Sequence, residues 1–287
     1  MPPLLRPPSS GPSAKPIVAA ASRLADSAST GRRAGKTTSA VPRIFGGTSG
    51  WAYPSWKPDF YPAEIPAKRF FNYYATRLNS VEVNYTFRTL PSAEMLAGWL
   101  AATPEGFRFS FKAPQRITHF KRLRECNEAV FEFVSALEPV RTAGRLGPLL
   151  FQLPPNLKAD PVLLQEFLGA KVFTGKNRPQ IAFEFRHPTW FNEETYAILR
   201  AKDAALCIAE SEDLRTPEVQ CARDFACYRL RCSGGYSARQ VGAFAKRLSL
   251  LAESRDVFVY FKHEDEPTGA LNAVAFLKAC AARAGKP

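Results

Sequence analysis

The 287-residue chain has no C-x-x-C pair among its six cysteines (Cys126, Cys207, Cys221, Cys227, Cys232 and Cys280), and none of them stands at zinc-type spacing from the three histidines. That pattern speaks against a zinc ribbon and points to reduced thiols that are mostly core residues. No apolar run reaches the roughly 18 residues that a membrane span needs, so no transmembrane helix is expected and a cytoplasmic location is. The stretch Gly46-Gly47-Thr48-Ser49-Gly50-Trp51 follows the first strand-like run but lacks G-x-G-x-x-G spacing, which argues against a dinucleotide-binding, doubly wound sheet. Acidic residues are nearly missing from residues 1–43, where Asp26 alone faces Arg6, Lys15, Arg23, Arg32, Arg33, Lys36 and Arg43.

The formal charge of +13 is therefore uneven, with +6 in residues 1–43 and +7 in the remainder. Such a balance leaves phosphate-bearing or nucleic-acid partners open without selecting them. Residues 1–43 are rich in Pro, Ser, Ala and Gly and show no sustained periodicity, so they read as a disordered leader. Their Arg- and Ser-rich, acid-poor texture also suits an organelle-targeting segment, although the Pro-rich start argues against an amphipathic helix. Residues 44–287, in a chain with 46% hydrophobic and 23% charged residues, are expected to form a single globular domain.

From residue 44 onward, short apolar runs alternate with longer helical patterns. Strands are expected at 44–48, 80–86, 107–112, 148–153, 180–186, 204–209, 226–232 and 256–262. Helices are expected near 66–78, 91–102, 124–138, 160–169, 191–202, 213–222, 236–252 and 268–284. Eight β-α units in about 245 residues predict a (β/α)8 TIM-type barrel, an α/β fold of parallel strands. The period of two then assigns each strand an outward and an inward face. Facing inward are Glu82, Asn84 and Thr86; Arg108, Ser110 and Lys112; Leu150 and Gln152; Glu184 and Arg186; Arg229 and Arg231; Tyr260 and Lys262. Most of these polar groups stand late in their strands, at the barrel end where active sites are built. All three histidines, His119, His187 and His263, follow strand ends.

Several segments are similar to the YecE-like family, a domain of unknown function. They are Gly47-Thr48-Ser49-Gly50-Trp51 with Tyr53 and Trp56, Phe60-Tyr61-Pro62, Asn79-Ser80-Val81-Glu82-Val83-Asn84-Tyr85-Thr86-Phe87, and Lys112-Ala113-Pro114 with Ile117-Thr118-His119. Leu150-Phe151-Gln152-Leu153-Pro154-Pro155 and Glu184-Phe185-Arg186-His187 with Trp190-Phe191 continue the series. The resemblance implies a TIM-type barrel and brings no activity with it. Two strand ends depart from the family pattern: Arg231-Cys232 stands where His-Gly is usual, and Phe261-Lys262-His263 where Phe-Asn-Asn is usual. The departure suggests that His263 stands in for the missing histidine.

Glu82, Glu184, His187 and His119 are the candidate catalytic groups, since paired carboxylates in unlike surroundings suit general acid/base work. Lys112, Arg186 and Arg231 suit a phosphate or carboxylate on a substrate, with Asn84, Gln152, Lys262 and His263 beside them. Trp51 and Tyr53 would form a stacking wall or, alternatively, part of an apolar cluster under a long loop. The expected partner is an anionic or sugar-like small molecule acted on by a hydrolase, lyase or isomerase. No residues are assigned to a metal: a divalent ion is chemically admissible, but His119, His187, His263, Glu82 and Glu184 lack ligand spacing. The alternatives are a nucleic-acid-binding or phosphodiester-processing protein, with Lys121, Arg122 and Arg124 on the rim, and a non-catalytic binding barrel whose interior ion pairs only fill space.

Overall fold

A computed structural model describes residues 43–175, 177–210, 214–262 and 266–284. The expected leader, save Arg43, and His263 lie outside these residues. The strands are β1 (Ile44–Thr48), β2 (Ser80–Val83), β3 (Arg108–Lys112), β4 (Leu146–Gln152), β5 (Ile181–Glu184), β6 (Ala205–Glu210), β7 (Phe225–Leu230) and β8 (Asp256–Phe261). The helices are α1 (Phe70–Arg77), α2 (Ala93–Ala101), α3 (Asn127–Ala136), α4 (Glu138–Thr142), α5 (Pro161–Phe167), α6 (Glu193–Lys202), α7 (Ala238–Leu251) and α8 (Thr268–Ala284). All strand pairs are parallel, in the order β1-β8-β7-β6-β5-β4-β3-β2, so the eight strands form a nearly closed barrel. Among the described residues, no helix is long and apolar enough to cross a membrane.

Several expectations change: the strands expected at 180–186 and 226–232 stop at Glu184 and Leu230, so Arg186 and Arg231 lie just past the ladder. The second strand stops at Val83, and Tyr85–Phe87 form a 3-10 turn, so Asn84 and Thr86 leave the ladder. Of the helix expected at 213–222, the described residues 214–222 contain none. Side chains hold that segment instead: Tyr228 Oη donates to Glu218 at 3.1 Å, Glu218 pairs with Arg247, and Gln220 donates to Tyr228 at 2.9 Å. Pro217 disfavours the helical conformation at the residue before it.

Strand parity sorts the apolar residues into two clusters. Val81, Phe109, Phe111, Leu149, Phe151, Ile181 and Phe183 pack outward against the helices. Phe45, Leu150, Ala182, Ala205, Cys207, Phe225, Cys227, Phe258 and Tyr260 form a separate cluster, which is the barrel interior. Phe45 and Phe258 stack there at 4.8 Å, and the guanidinium groups of Arg43 and Arg108 lie over the Phe45 ring. Arg108 opens β3 while Lys112 closes it, so Arg108 lies toward the opposite end of the barrel from Lys112.

The seam between β1 and β2 is joined largely by side chains. Its backbone link is a bridge between Ser49 and Glu82, where Gly50 N–H donates to Glu82 O at 2.9 Å. Lower down, Asn79 imitates a strand: its Oδ1 accepts from Gly46 N–H at 2.8 Å and its Nδ2 donates to Ile44 O at 2.9 Å. Between these points the buried Tyr74 hydroxyl accepts from Thr48 N–H at 2.9 Å and donates to Ser80 O at 2.9 Å. A β-carbon on Gly47 would fall 2.0 Å from Ser80 O, so the close approach of these strands requires glycine.

Replacing Asn79 with Ala leaves a strand donor and a strand acceptor unpaired at the seam. The expected loss is about 1–3 kcal/mol of unfolding free energy, measured by urea denaturation. Asn79→Asp, which keeps the acceptor alone, should fall between the two proteins.

Candidate active site at the C-terminal end of the barrel

Arg229 on β7 reaches across the barrel to two carboxylates. By strand order Glu184 on β5 is two strands away on one side and Glu82 on β2 three strands away on the other. Nη1 donates to Glu184 Oε2, and Nη2 donates to Glu82 Oε1 at 2.8 Å. Glu82 and Glu184 have no exposed surface and Arg229 has 1%. Room for the guanidinium comes from β6, where the register partner of Arg229 is the small Ala209.

Each carboxylate has further partners. Ser49 Oγ donates to Glu82 Oε1 at 2.7 Å, whereas Glu82 Oε2 is buried with no hydrogen-bond partner. Glu184 Oε1 accepts from Arg186 Nε, and from Arg231 Nη1 at 3.4 Å. Burial alone would raise the Glu184 pKa, but Arg229 and then Arg186 overcome that and hold it below the usual carboxylate range. The same carboxylates, Glu184 foremost, more than offset the burial of Arg229 and keep it protonated. Beneath this layer the Tyr260 hydroxyl hydrogen-bonds Ser80 Oγ at 2.8 Å and Ser110 Oγ at 2.6 Å.

The accessible surface of the site is cationic. The Arg186 and Arg231 side chains are each 21% exposed, while the carboxylate that gathers them is covered. Lys112 is half-buried, and its Nζ sits 4.1 Å from the centre of the Phe87 ring. Among the described residues it forms no ion pair. Burial first, and then Arg229, pushes its pKa down to about 8 against the opposing pull of Glu82 and Glu184. The 3-10 turn that carries Phe87 is tied to β3 where Thr86 Oγ1 donates to Lys112 O at 2.7 Å.

His119 belongs to the same region. It lies in a π-helical turn, Arg116–Phe120, and its ring meets the edge of Phe87 at 5.0 Å. Its Nδ1 hydrogen-bonds Thr118 Oγ1 at 2.9 Å. Burial and the charges of Lys112, Arg122 and Arg186 lower its pKa, so the ring is neutral at physiological pH. Residues Arg122, Leu123 and Glu125, just beyond, have positive φ without being glycine, and such strained backbone concentrates at functional sites. Gln152 is half-buried and is the register partner of Glu184. Lys262 is half-buried just past β8, and its charge acts on Lys112.

The other predicted residues divide differently. His187 caps the turn at Pro188–Trp190, its Nδ1 accepting from Thr189 N–H at 3.3 Å. Trp51 stacks on Phe71 at 4.2 Å and meets the edge of Trp99 at 5.3 Å, as an apolar cluster requires. Tyr53 donates to Ser49 O at 2.8 Å. Together with Asn84, Tyr85 and Met95 they line a cavity of about 360 Å³ that shares no lining residue with the cationic group. On the rim, Lys121 donates to Glu125 O and Arg124 pairs with Asp160 at 2.9 Å. Among the described residues, no three or more His, Cys, Asp or Glu side chains gather to hold a metal ion. A cavity of about 690 Å³ at the barrel's opposite end is lined by α7, α8, Ile44 and Asn79, and its charged residues Lys246, Glu253 and Arg283 are exposed.

Arg229, the centre of the site, was visible in sequence only as one inward residue of its strand. Its parity with Arg231 was the signal that both belong to one interior. Ser49 and Phe87 lie in irregular segments where strand parity gives no signal, although both stand within the segments that resemble the family.

Residues 45–287 match the family described as Protein of unknown function DUF72. The UPF0759 protein YecE of Escherichia coli strain K12 is 34% identical over 149 residues, 52% of this chain and 50% of YecE. The UPF0759 protein YunF of Bacillus subtilis strain 168 is 26% identical over 167 residues, 55% of this chain and 57% of YunF. The matches thus span about half the length of these curated relatives. The crystal structure of a DUF72 family protein from Thermotoga maritima superposes with a TM-score of 0.70 at 26% identity, covering 82% of this chain and 98% of that one. A second, from Enterococcus faecalis, gives 0.67 at 18% identity, covering 84% and 98%, and shows the shared fold.

Arg229→Met removes the cation paired with buried Glu82 and the strongest of the charges that lower the Glu184 pKa, and is expected to destabilise the protein by about 3–5 kcal/mol near neutral pH. The pH dependence should also weaken. In the native protein the depressed Glu184 pKa contributes stability above the unfolded carboxylate pKa and loses it as the pH falls. Without Arg229 the Glu184 pKa is depressed less, so less stability should be lost as the pH falls below the unfolded carboxylate pKa. Urea denaturation between about pH 3 and 7 reads both effects.

Proposed function

The chain belongs to the DUF72 family, whose description assigns no activity, and from the site's geometry we propose an enzyme that binds an anionic small molecule at the C-terminal end of the barrel and moves a proton on it. One observation carries the reading: the accessible groups are cations, Arg186, Arg231 and Lys112, over a covered floor of Glu82 and Glu184. A phosphate or carboxylate is the complement of such a surface, and guanidinium groups favour bidentate contact with it.

The carboxylates then act as supports. Glu184 fixes Arg186, Arg229 and Arg231 with its two oxygens, and Glu82 anchors the far end of Arg229. The accessible titrating groups are Lys112, with a pKa of about 8, and the neutral His119. A lysine tuned toward neutrality suits proton transfer beside a bound anion. A small ligand is favoured over a nucleic-acid strand because Lys121 and Arg124 on the rim already have protein partners.

Isothermal titration with inorganic phosphate and phosphorylated sugars tests this. Binding should weaken as the pH rises through about 8, because the Lys112 charge is present below that value and lost above it. Arg186→Met should weaken it at least about tenfold, equal to about 1.4 kcal/mol. Affinity that is absent at low salt, or unchanged in that variant, would remove the reading.

A further inference from the structure

We propose that Lys112 is a nucleophile that forms an imine with the carbonyl group of an anionic aldehyde or ketone. The proposal rests on the anion-binding reading of the same pocket and names its substrate class. Four features of the site converge on it.

First, the amine is placed without a counter-ion. Lysines near carboxylates usually pair with them and are thereby held protonated. Here both nearby carboxylates are occupied by arginine, and Lys112 Nζ rests 4.1 Å from the Phe87 ring centre. Second, the strand end that bears it is fixed: Thr86 Oγ1 donates to Lys112 O, and Ala113 N–H donates to Leu150 O at 2.8 Å. Third, the amine is half-buried among cations, the two conditions that raise the neutral, nucleophilic fraction of a lysine. Fourth, the cations that disfavour its proton are Arg229 and Lys262, and Arg186 and Arg231, which share Glu184 with Arg229, would hold the charged end of a substrate.

The step balances without an added oxidant or reductant. The Nζ lone pair attacks the carbonyl carbon, and the carbonyl π pair moves to oxygen, which takes one proton from the new ammonium nitrogen to give a neutral carbinolamine. Loss of that hydroxyl with an N–H proton as water leaves the imine, and one proton from solvent makes it the iminium ion. His119, neutral and in edge contact with the same Phe87 ring, is the nearby base for proton transfers on the adduct. Carbon–carbon cleavage or isomerisation next to the carbonyl is the chemistry an iminium ion promotes.

The test is reductive trapping on the full chain. Glyoxylate, pyruvate and dihydroxyacetone phosphate are each incubated with the protein and sodium cyanoborohydride, which delivers hydride to an iminium ion, and adducts are mapped by peptide mass spectrometry. Lys112 should be labelled at least about tenfold faster than exposed lysines at pH 7, consistent with the excess of neutral amine that a lowered pKa provides. Lys112→Arg, which keeps the charge but forms no imine, should lose the adduct while the labelling of the remaining lysines is unchanged. Inorganic phosphate should slow labelling of the native protein. Adducts spread evenly over surface lysines, or the same labelling of the remaining lysines with no Lys112 adduct in the native protein, overturn the proposal. Phosphate binding without a Lys112 adduct overturns the imine alone, whereas a Lys112 adduct that phosphate neither slows nor displaces overturns the anion-site reading instead.

Discussion

A single guanidinium inside a barrel, held between carboxylates from two distant strands, sets the terms for the rest of the site. Arg229 cannot release its proton in such surroundings, and Glu82 and Glu184 cannot be left without it. Buried ion pairs contribute little stability compared with apolar packing of the same volume. What the network does supply is placement, because Glu184 also gathers Arg186 and Arg231 and so fixes which groups face the solvent. The charge of Arg229 further lowers the pKa of Lys112, already depressed by burial.

The same network is tied to the least regular part of the barrel. Glu82 stands in the bridge to Ser49, and Ser49 Oγ donates to it from the β1 side of the seam. The seam itself depends on Asn79, Tyr74 and the absence of a side chain at Gly47. Barrel closure and carboxylate placement are thus one problem: a shift of β1 against β2 would move the hydrogen-bond partner of Glu82. This coupling gives a physical reason for side-chain hydrogen bonds where two strands could have paired along their full length.

How much of this could be read from residues alone depended on regularity. The eight strands and their inward faces followed from alternation: Val81 and Val83 against Glu82, or Phe183 and Phe185 against Glu184, leave little freedom once both faces are covered. The DUF72 relatives and the superposed structures support the same barrel. The helix expected after β6 failed because local periodicity was outweighed by Pro217 and by the contacts of Glu218 with Tyr228 and Arg247. Within the site, parity placed Glu82, Glu184, Lys112 and the arginines on one interior but could not rank Arg229 above Arg231. Depth decides that, and depth depends on barrel stagger and on small neighbours such as Ala209. The contact of Lys112 with Phe87 was hidden because Tyr85–Phe87 turns away from the strand that the pattern extended through it.

Arg231 shows how one strand end bears on the site: it carries a guanidinium that reaches Glu184 Oε1 at 3.4 Å. An imidazole there would change charge near neutrality, whereas a guanidinium does not. The charge at this strand end is therefore independent of pH near neutrality. The groups with lowered pKa in the accessible part of the site are Lys112 and His119, which share contact with one aromatic ring. In the function we propose, separation of fixed charge from titrating charge would let one set of groups hold an anion while another changes protonation, with Arg229 at the base of the site acting on Lys112.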